Sequence, residues 1–175
     1  MRTTARRLVV VTTALVLAVP ILRPVLSSAL VSRGDVLLYA RDTRARSKYA
    51  LALWMDPGNM VAADRYVFSA FLSREPHELE DAIRVASVVL RAYPDAAAVR
   101  MDRALCLQLL RRYSQAESDF EEVGRKLADV QALALAAADA KMSGNPEKAR
   151  RLWVAAAHID PQYVPVRTAL ERNRR

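Results

Sequence analysis

Hydrophobic and polar positions divide the chain into two regimes. Leu8 to Leu22 carries no charged residue and follows directly behind Arg2, Arg6 and Arg7. From Asp35 onward there is no long apolar run, and the apolar side chains recur at helical spacing. The second regime predicts a succession of amphipathic helices, an all-α fold. Breakers at residues 74–77 and 143–146 read as turns inside helix pairs, with a weaker one at 111–114. Asn145 is expected to cap a helix whose first residue is Pro146.

The amino-terminal regime reads as a membrane element. Fifteen uncharged residues make a helix of about 22 Å at about 1.5 Å per residue, short of a hydrocarbon core of roughly 30 Å. Continuation through Arg23 to Val31 supplies the missing length, with the arginine snorkelling its guanidinium toward the headgroups. Pro20 and Pro24 would kink such a helix. A cleaved signal peptide competes with this reading, because Ser27 to Ala29 has the small residues of a cleavage site. Pro20, Arg23 and Pro24 intervene, however, and apolar character resumes at Val25, Leu26, Leu30 and Val31, which favours an uncleaved anchor over residues 1–31. A buried core helix is the third reading. The purely basic tail keeps the amino terminus cytoplasmic and sends the body across the membrane, although Arg33, Arg41, Arg44, Arg46 and Lys48 weaken that asymmetry. The expected state is a single-pass protein with an extracytoplasmic body; secretion after cleavage is the alternative. Residues 32–44 form a juxtamembrane segment and a poorly matching start of the first repeat, and Arg33-Gly34-Asp35 reads as the hinge rather than as an adhesion tripeptide.

The body repeats itself. Related phrases end at Pro57, Pro94 and Pro161, and the alanines Ala45, Ala82, Ala116 and Ala149 recur at intervals of 37, 34 and 33 residues. The extra three residues of the first interval are expected to lengthen the turn around Pro76. In the last copy Leu133, Ala137, Ala149, Trp153 and Pro161 form a spaced set of large, small, small, aromatic and helix-ending residues. Tyr66, Ala70, Ala82 and Pro94 follow it in the second copy, with Ala86 in place of the aromatic; Ala104, Ala116 and Phe120 follow it in the third, where Arg100 and Arg103 depart and Ala128 replaces the proline. The first copy matches only in its second helix, at Ala45, Tyr49, Ala52 and Pro57. This pattern resembles the tetratricopeptide repeat (TPR), whose helix pairs stack into a right-handed α-solenoid. The resemblance covers residues 45–161: the second helix of repeat 1, then repeats at about 63–96, 97–129 and 130–162. Residues 163–175 would form a basic capping helix.

Charge and composition narrow the chemistry. The formal net charge is +8, but residues 35–160 hold 18 basic and 18 acidic residues. The excess is confined to the two ends, so no basic stripe for nucleic acid is expected across the folded part. One cysteine, Cys106, rules out an intrachain disulfide or a multi-thiolate metal site and reads as a small packing residue. The glycines at 34, 58, 124 and 144 are isolated, so no phosphate loop is present. His77, beside Glu78 and near Glu80 and Asp81, raises an acid–base cluster; the plainer reading is a solvated helix start with acids near the dipole. The acidic run Glu117 to Glu122 reads as one exposed helix face. No enzyme, cofactor or metal is expected.

The resemblance implies where a partner would lie, since the inner surface of such an array comes chiefly from the first helix of each repeat. Carried over, those positions are Asp64, Val67, Phe71 and Arg74; Met101, Leu105, Gln108 and Leu109; and Gln131, Lys141 and Met142. The groove so defined is apolar at its centre and suits a protein or peptide partner with apolar anchors. A second copy of the chain, or its own anchor-proximal helix, is the alternative occupant. The expected function is that of a membrane-anchored TPR-like adaptor in assembly of an envelope or secretion complex. The alternatives are a structural or regulatory subunit buried in a larger membrane assembly, and a small enzyme using His77.

Overall fold

The computed structural model describes the backbone from Arg2 to Arg172 and the side chains from Pro20 to Arg172. Among the described residues all regular structure is helical: α1 Arg2–Tyr39, α2 Ala45–Met55, α3 Met60–Ser73, α4 Pro76–Ala92, α5 Ala97–Leu109, α6 Tyr113–Leu127, α7 Val130–Met142, α8 Pro146–Ile159 and α9 Val164–Arg172. Contacts divide the chain into two compact units, residues 1–69 and 70–175, with α3 contributing to both.

In the first unit, α1 runs through Pro20 and Pro24 and packs on α2 with its C-terminal half. Ser27, Val31 and Gly34 are buried, a stripe at helical spacing, while Ile21, Leu22, Val25 and Leu26 are exposed. Ser27 Oγ donates to the Ala52 carbonyl at 2.9 Å and accepts from Asn59 Nδ2 at 2.8 Å. Tyr49 is fully buried, and its hydroxyl donates to Asp35 Oδ1 at 2.9 Å. Gly34 makes room for that ring: a Cβ there would stand 2.4 Å from a ring carbon of Tyr49.

This corrects the expected hinge at Arg33-Gly34-Asp35, which is helical; residues 32–39 of the segment 32–44 are the end of α1. The place of Gly34 in the repeat is hidden by a shift of one position. A small residue precedes the repeat alanine by twelve positions at Ala70, Ala104 and Ala137, but Gly34 precedes Ala45 by only eleven. The charge-free run of the expected anchor lies, up to residue 19, outside the described side chains. Among the described residues no helix is long and apolar enough to cross a membrane.

Helix ends obey a recurring device. Arg41, Arg111 and Gly144 are left-handed residues after α1, α5 and α7, and at each site the next N–H bonds back to a carbonyl five residues earlier: Asp42 to Leu37, Arg112 to Leu107 and Asn145 to Ala140, at 2.9, 2.9 and 2.8 Å. Nothing lies within 4 Å of a Cβ added to Gly144, whose φ is +85°. Gly144→Ala therefore tests backbone strain alone. It is expected to lower stability by about 1 kcal/mol, read as a shifted denaturant midpoint with an unchanged slope; no shift would show that the turn relaxes freely.

The three extra residues of the first interval do not lengthen the turn around Pro76, contrary to the expectation from the sequence, since Ala70 precedes Ala82 by the same twelve positions as in the later copies. They lie ahead of Ala70, which is the eleventh residue of α3 where Ala104 and Ala137 are the eighth of α5 and α7; the turn at Pro76 is only placed earlier. Only Arg74 and Glu75 separate α3 from α4, and Ala82 is the seventh residue of α4 whereas Ala116 and Ala149 are the fourth of theirs. Proline at the first helical position, followed by Glu78 in the first turn, favours starting the helix there. At Ala128, where the proline is missing, α6 ends instead on a left-handed residue at φ 51°. Asp129 then caps α7, its carboxylate accepting from the Gln131 and Ala132 N–H groups. As expected, Asn145 caps α8 by accepting from Lys148 N–H.

In the second unit each helix from α4 to α9 packs on its successor. Ala104, Ala116, Ala137 and Ala149 are fully buried and allow close approach around Phe120, Leu133, Leu152 and Trp153. Gly124 brings α6 closest to α7, since a Cβ there would meet the Leu133 backbone nitrogen at 2.9 Å. Val166 of α9 closes this core. Cys106 is buried.

Candidate functional site

The eleven residues expected to line a partner groove fall into different environments. In the first unit, Val67 is fully buried and offers no surface to a ligand, while Asp64 is half-buried with its carboxylate 3.4 Å from Arg65 Nη1. In the second unit, Phe71 is half-buried and Arg74 is exposed at the left-handed turn after α3. Met101 and Leu105 pack largely against the core cluster. Their apolar character is thus spent on α5 packing rather than on a free groove centre.

The next positions along the same face are different. Leu109 is 37% exposed and Met142 63% exposed. They stand 33 residues apart, at equivalent places near the ends of α5 and α7. Gln108 and Lys141 precede them in the same register. Gln108 Nε2 donates to Asp139 Oδ1 at 2.8 Å, and Lys141 Nζ lies 5.9 Å from the centre of the Trp153 ring. Gln131 is exposed in the first turn of α7. The face therefore presents two apolar tips beside an amide and an ammonium.

Behind it lie a buried ionic cluster and a separate buried carboxyl, neither of them read from the sequence. The acidic run Glu117 to Glu122, expected as one exposed face, has Glu117 and Asp119 buried. Asp119 receives a bidentate pair from Arg103, Nε to Oδ2 at 2.7 Å and Nη2 to Oδ1 at 2.6 Å. Arg100 Nη1 is 3.5 Å from the same carboxylate, while its Nη2 bonds Glu122 and the Pro94 carbonyl. The signal was present: Arg100 and Arg103 break the pattern in the same repeat in which an acid stands at a helix-inner position. Lys148 ties Glu117 and Glu121 together.

Asp139, on α7 between alanines, is a buried carboxyl bonded to the neutral Gln108 amide rather than a member of an ion pair. It is 1% exposed, and its Oδ2 has no hydrogen-bond partner. Burial pushes its carboxyl up to about 6 from an ordinary 3.8, the bond from Gln108 opposing and the nearby Glu117 charge adding to the rise. In the unfolded chain the group ionises near 3.8, so the folded state alone holds the proton between about pH 4 and about pH 6, and stability falls as pH rises through that window. Asp139→Asn keeps the acceptor for Gln108 and replaces the orphan oxygen with a donor. Its expected result is a gain of about 1–3 kcal/mol at pH 7 and loss of the falling limb between about pH 4 and 6. Parallel denaturant titrations of both proteins across that range check it, and parallel pH profiles would refute the assignment.

His77 is exposed in the first turn of α4, and Glu78 accepts from Ser73 Oγ at 2.6 Å. Among the described residues no group of three or more His, Cys, Asp or Glu side chains is arranged to hold a metal ion.

No protein-family model matches the chain, and no curated protein matches it. Solved structures do. A MamA RS-1 double mutant superposes with a TM-score of 0.71 at 16% identity, covering 82% of this chain and 80% of that one. MamA residues 41 to the end, from Desulfovibrio magneticus RS-1, give 0.70 at 15% identity over 82% and 81% of the two chains. A further MamA structure gives 0.67 at 13% identity over 79% and 75%. At such identities the likeness is one of fold. Together with the repeated helix pairs and their alanine register, it establishes a TPR-like helical-repeat fold.

Proposed function

We propose that the protein is a non-catalytic adaptor that binds a protein or peptide partner on the exposed ends of α5 and α7. The carrying observation is the pair Leu109 and Met142, solvated apolar tips at equivalent positions of successive repeats. Such tips, flanked by Gln108 and Lys141, match apolar anchors spaced along a helix or extended peptide. Met101 and Leu105 are poor probes of this face because their substitution disturbs the core. Leu109→Glu with Met142→Glu is the discriminating variant. Crosslinking from position 131 in cells, followed by affinity recovery, is expected to lose its major adduct in that double variant while the unfolding midpoint stays within about 0.5 kcal/mol of the native value. Unchanged recovery would remove the face from consideration.

The same reading places the partner beside a membrane, in the setting of an envelope or secretion assembly. Its support is the basic tail and the charge-free run behind it, together with the exposed apolar side chains Ile21, Leu22, Val25 and Leu26, directly ahead of the packed part of α1. Retention of the leader is supported by Ser27, whose two hydrogen bonds hold α1 to Ala52 and Asn59. Cleavage after Ala29 would remove them. Protease protection with amino-terminal sequencing of the mature protein tests this: a terminus beginning near residue 30 would contradict the anchor.

A further inference from the structure

On the side of α5 away from Leu105 and Leu109, the second unit holds a recess of about 360 Å³ between α4, α5 and α6. Its apolar walls are Ile83 and Leu107, and its floor is the Arg103–Asp119 pair, steadied by Arg103 Nη1 donating to Ser87 Oγ at 3.0 Å. Arg112 and Gln115 stand at its edge and also line an adjoining, more open recess of about 440 Å³ that includes Arg111, Tyr113 and Ser143. The two recesses share these side chains, and we refer to them together as a trough.

The charge of the trough is unequal. Its lining contains Arg103, Arg111 and Arg112 against the single carboxylate of Asp119. Asp119 is committed to Arg103 and Arg100. Arg111 is exposed and has no ion-pair partner among the described residues. Among the described residues Arg112 is paired with Glu80, which reaches it from α4 outside the lining; the two side chains are 43% and 48% exposed. An exposed pair of this kind is weak and exchangeable. Glu80 thus occupies Arg112 as a tethered carboxylate that a partner's carboxylate can displace, with Arg111 and the Gln115 amide adjacent.

We propose that this trough binds an acidic segment of a partner protein, one carrying a carboxylate next to an apolar side chain. The carboxylate takes Arg112 and Arg111, and the apolar side chain enters the recess between Ile83 and Leu107. Binding there does not require the Leu109–Met142 face.

The probe is a fluorescein-labelled hexapeptide of alternating glutamate and leucine, titrated into the purified full-length chain, with its glutamine–leucine counterpart as control. Saturable binding of the acidic peptide that weakens with added salt is expected, with no binding of the control. Arg112→Gln combined with Arg111→Gly, the latter compatible with the left-handed backbone there, is expected to weaken binding by about ten-fold or more, while Glu80→Gln strengthens it by roughly two- to five-fold. Equal binding of the control peptide, no binding to the native chain, or indifference to both the arginine and the Glu80 substitutions would overturn the proposal.

Discussion

Asp119→Ala is expected to cost about 3–5 kcal/mol of unfolding free energy. The substitution removes the carboxylate that faces two guanidiniums whose side chains are only 12% and 19% exposed. Arg103 loses both bonds of its bidentate pair and Arg100 loses its buried neighbour, so positive charge stays in a poorly solvated place. The alternative packing is written elsewhere in the same chain. Asp119 lies three residues after Ala116, the place Leu152 takes after Ala149; Arg100 and Arg103 hold the places that Leu133 and Ala136 hold before Ala137. The third repeat has thus exchanged an apolar set for an ionic one. Arg100→Leu with Arg103→Ala and Asp119→Leu is accordingly expected to come within about 1 kcal/mol of the native chain or to exceed it. Guanidinium titration of the single and triple variants measures both. A triple variant as unstable as Asp119→Ala would show that the ionic set does more than fill that volume.

Phe120→Ala is the second large effect, expected at about 3–5 kcal/mol. Phe120 is fully buried in the core cluster of the second unit. The cost of such a truncation depends on how far the surroundings collapse into the void. Here collapse is restricted, because the cluster is lined in large part by Ala104, Ala116, Ala136 and Ala137, whose side chains have no rotamers to swing inward. Because neighbouring repeats support one another, the loss should appear as reduced hydrogen-exchange protection across α5 to α8 rather than in α6 alone. A destabilisation below about 1.5 kcal/mol would mean that the helices close the gap by sliding together.

Much of the fold was legible because its determinants are local. Proline and asparagine at 145–146 set the start of α8 through capping and a fixed φ, and the alanine register reports close helix packing wherever it occurs. Legibility failed where one repeat departs from the spacing of the others. Gly34 is displaced by one position, so a helix-pairing residue was read as part of a hinge; the three extra residues expected at the Pro76 turn lie instead ahead of Ala70 in α3. The candidate face divided in the same way. Its positions followed from periodicity, but whether a half-apolar helix residue faces solvent or a neighbouring helix depends on the local angle and depth of packing. Val67 turned fully inward, Met101 and Leu105 lie partly buried against the core, and Leu109 and Met142 face outward.

The sequence by itself determined the helix pairs, their order and their alanine seams, since propensity, capping and a repeating period act over a few residues at a time. Tertiary structure alone decided which charges are buried. Arg100, Arg103 and Asp119 stand up to nineteen residues apart, and Gln108 and Asp139 thirty-one. Each of these groups looks like ordinary surface polarity in one dimension. Their pairing follows from the stacking of α5 against its neighbours, which takes them out of water and leaves one another as the available partners.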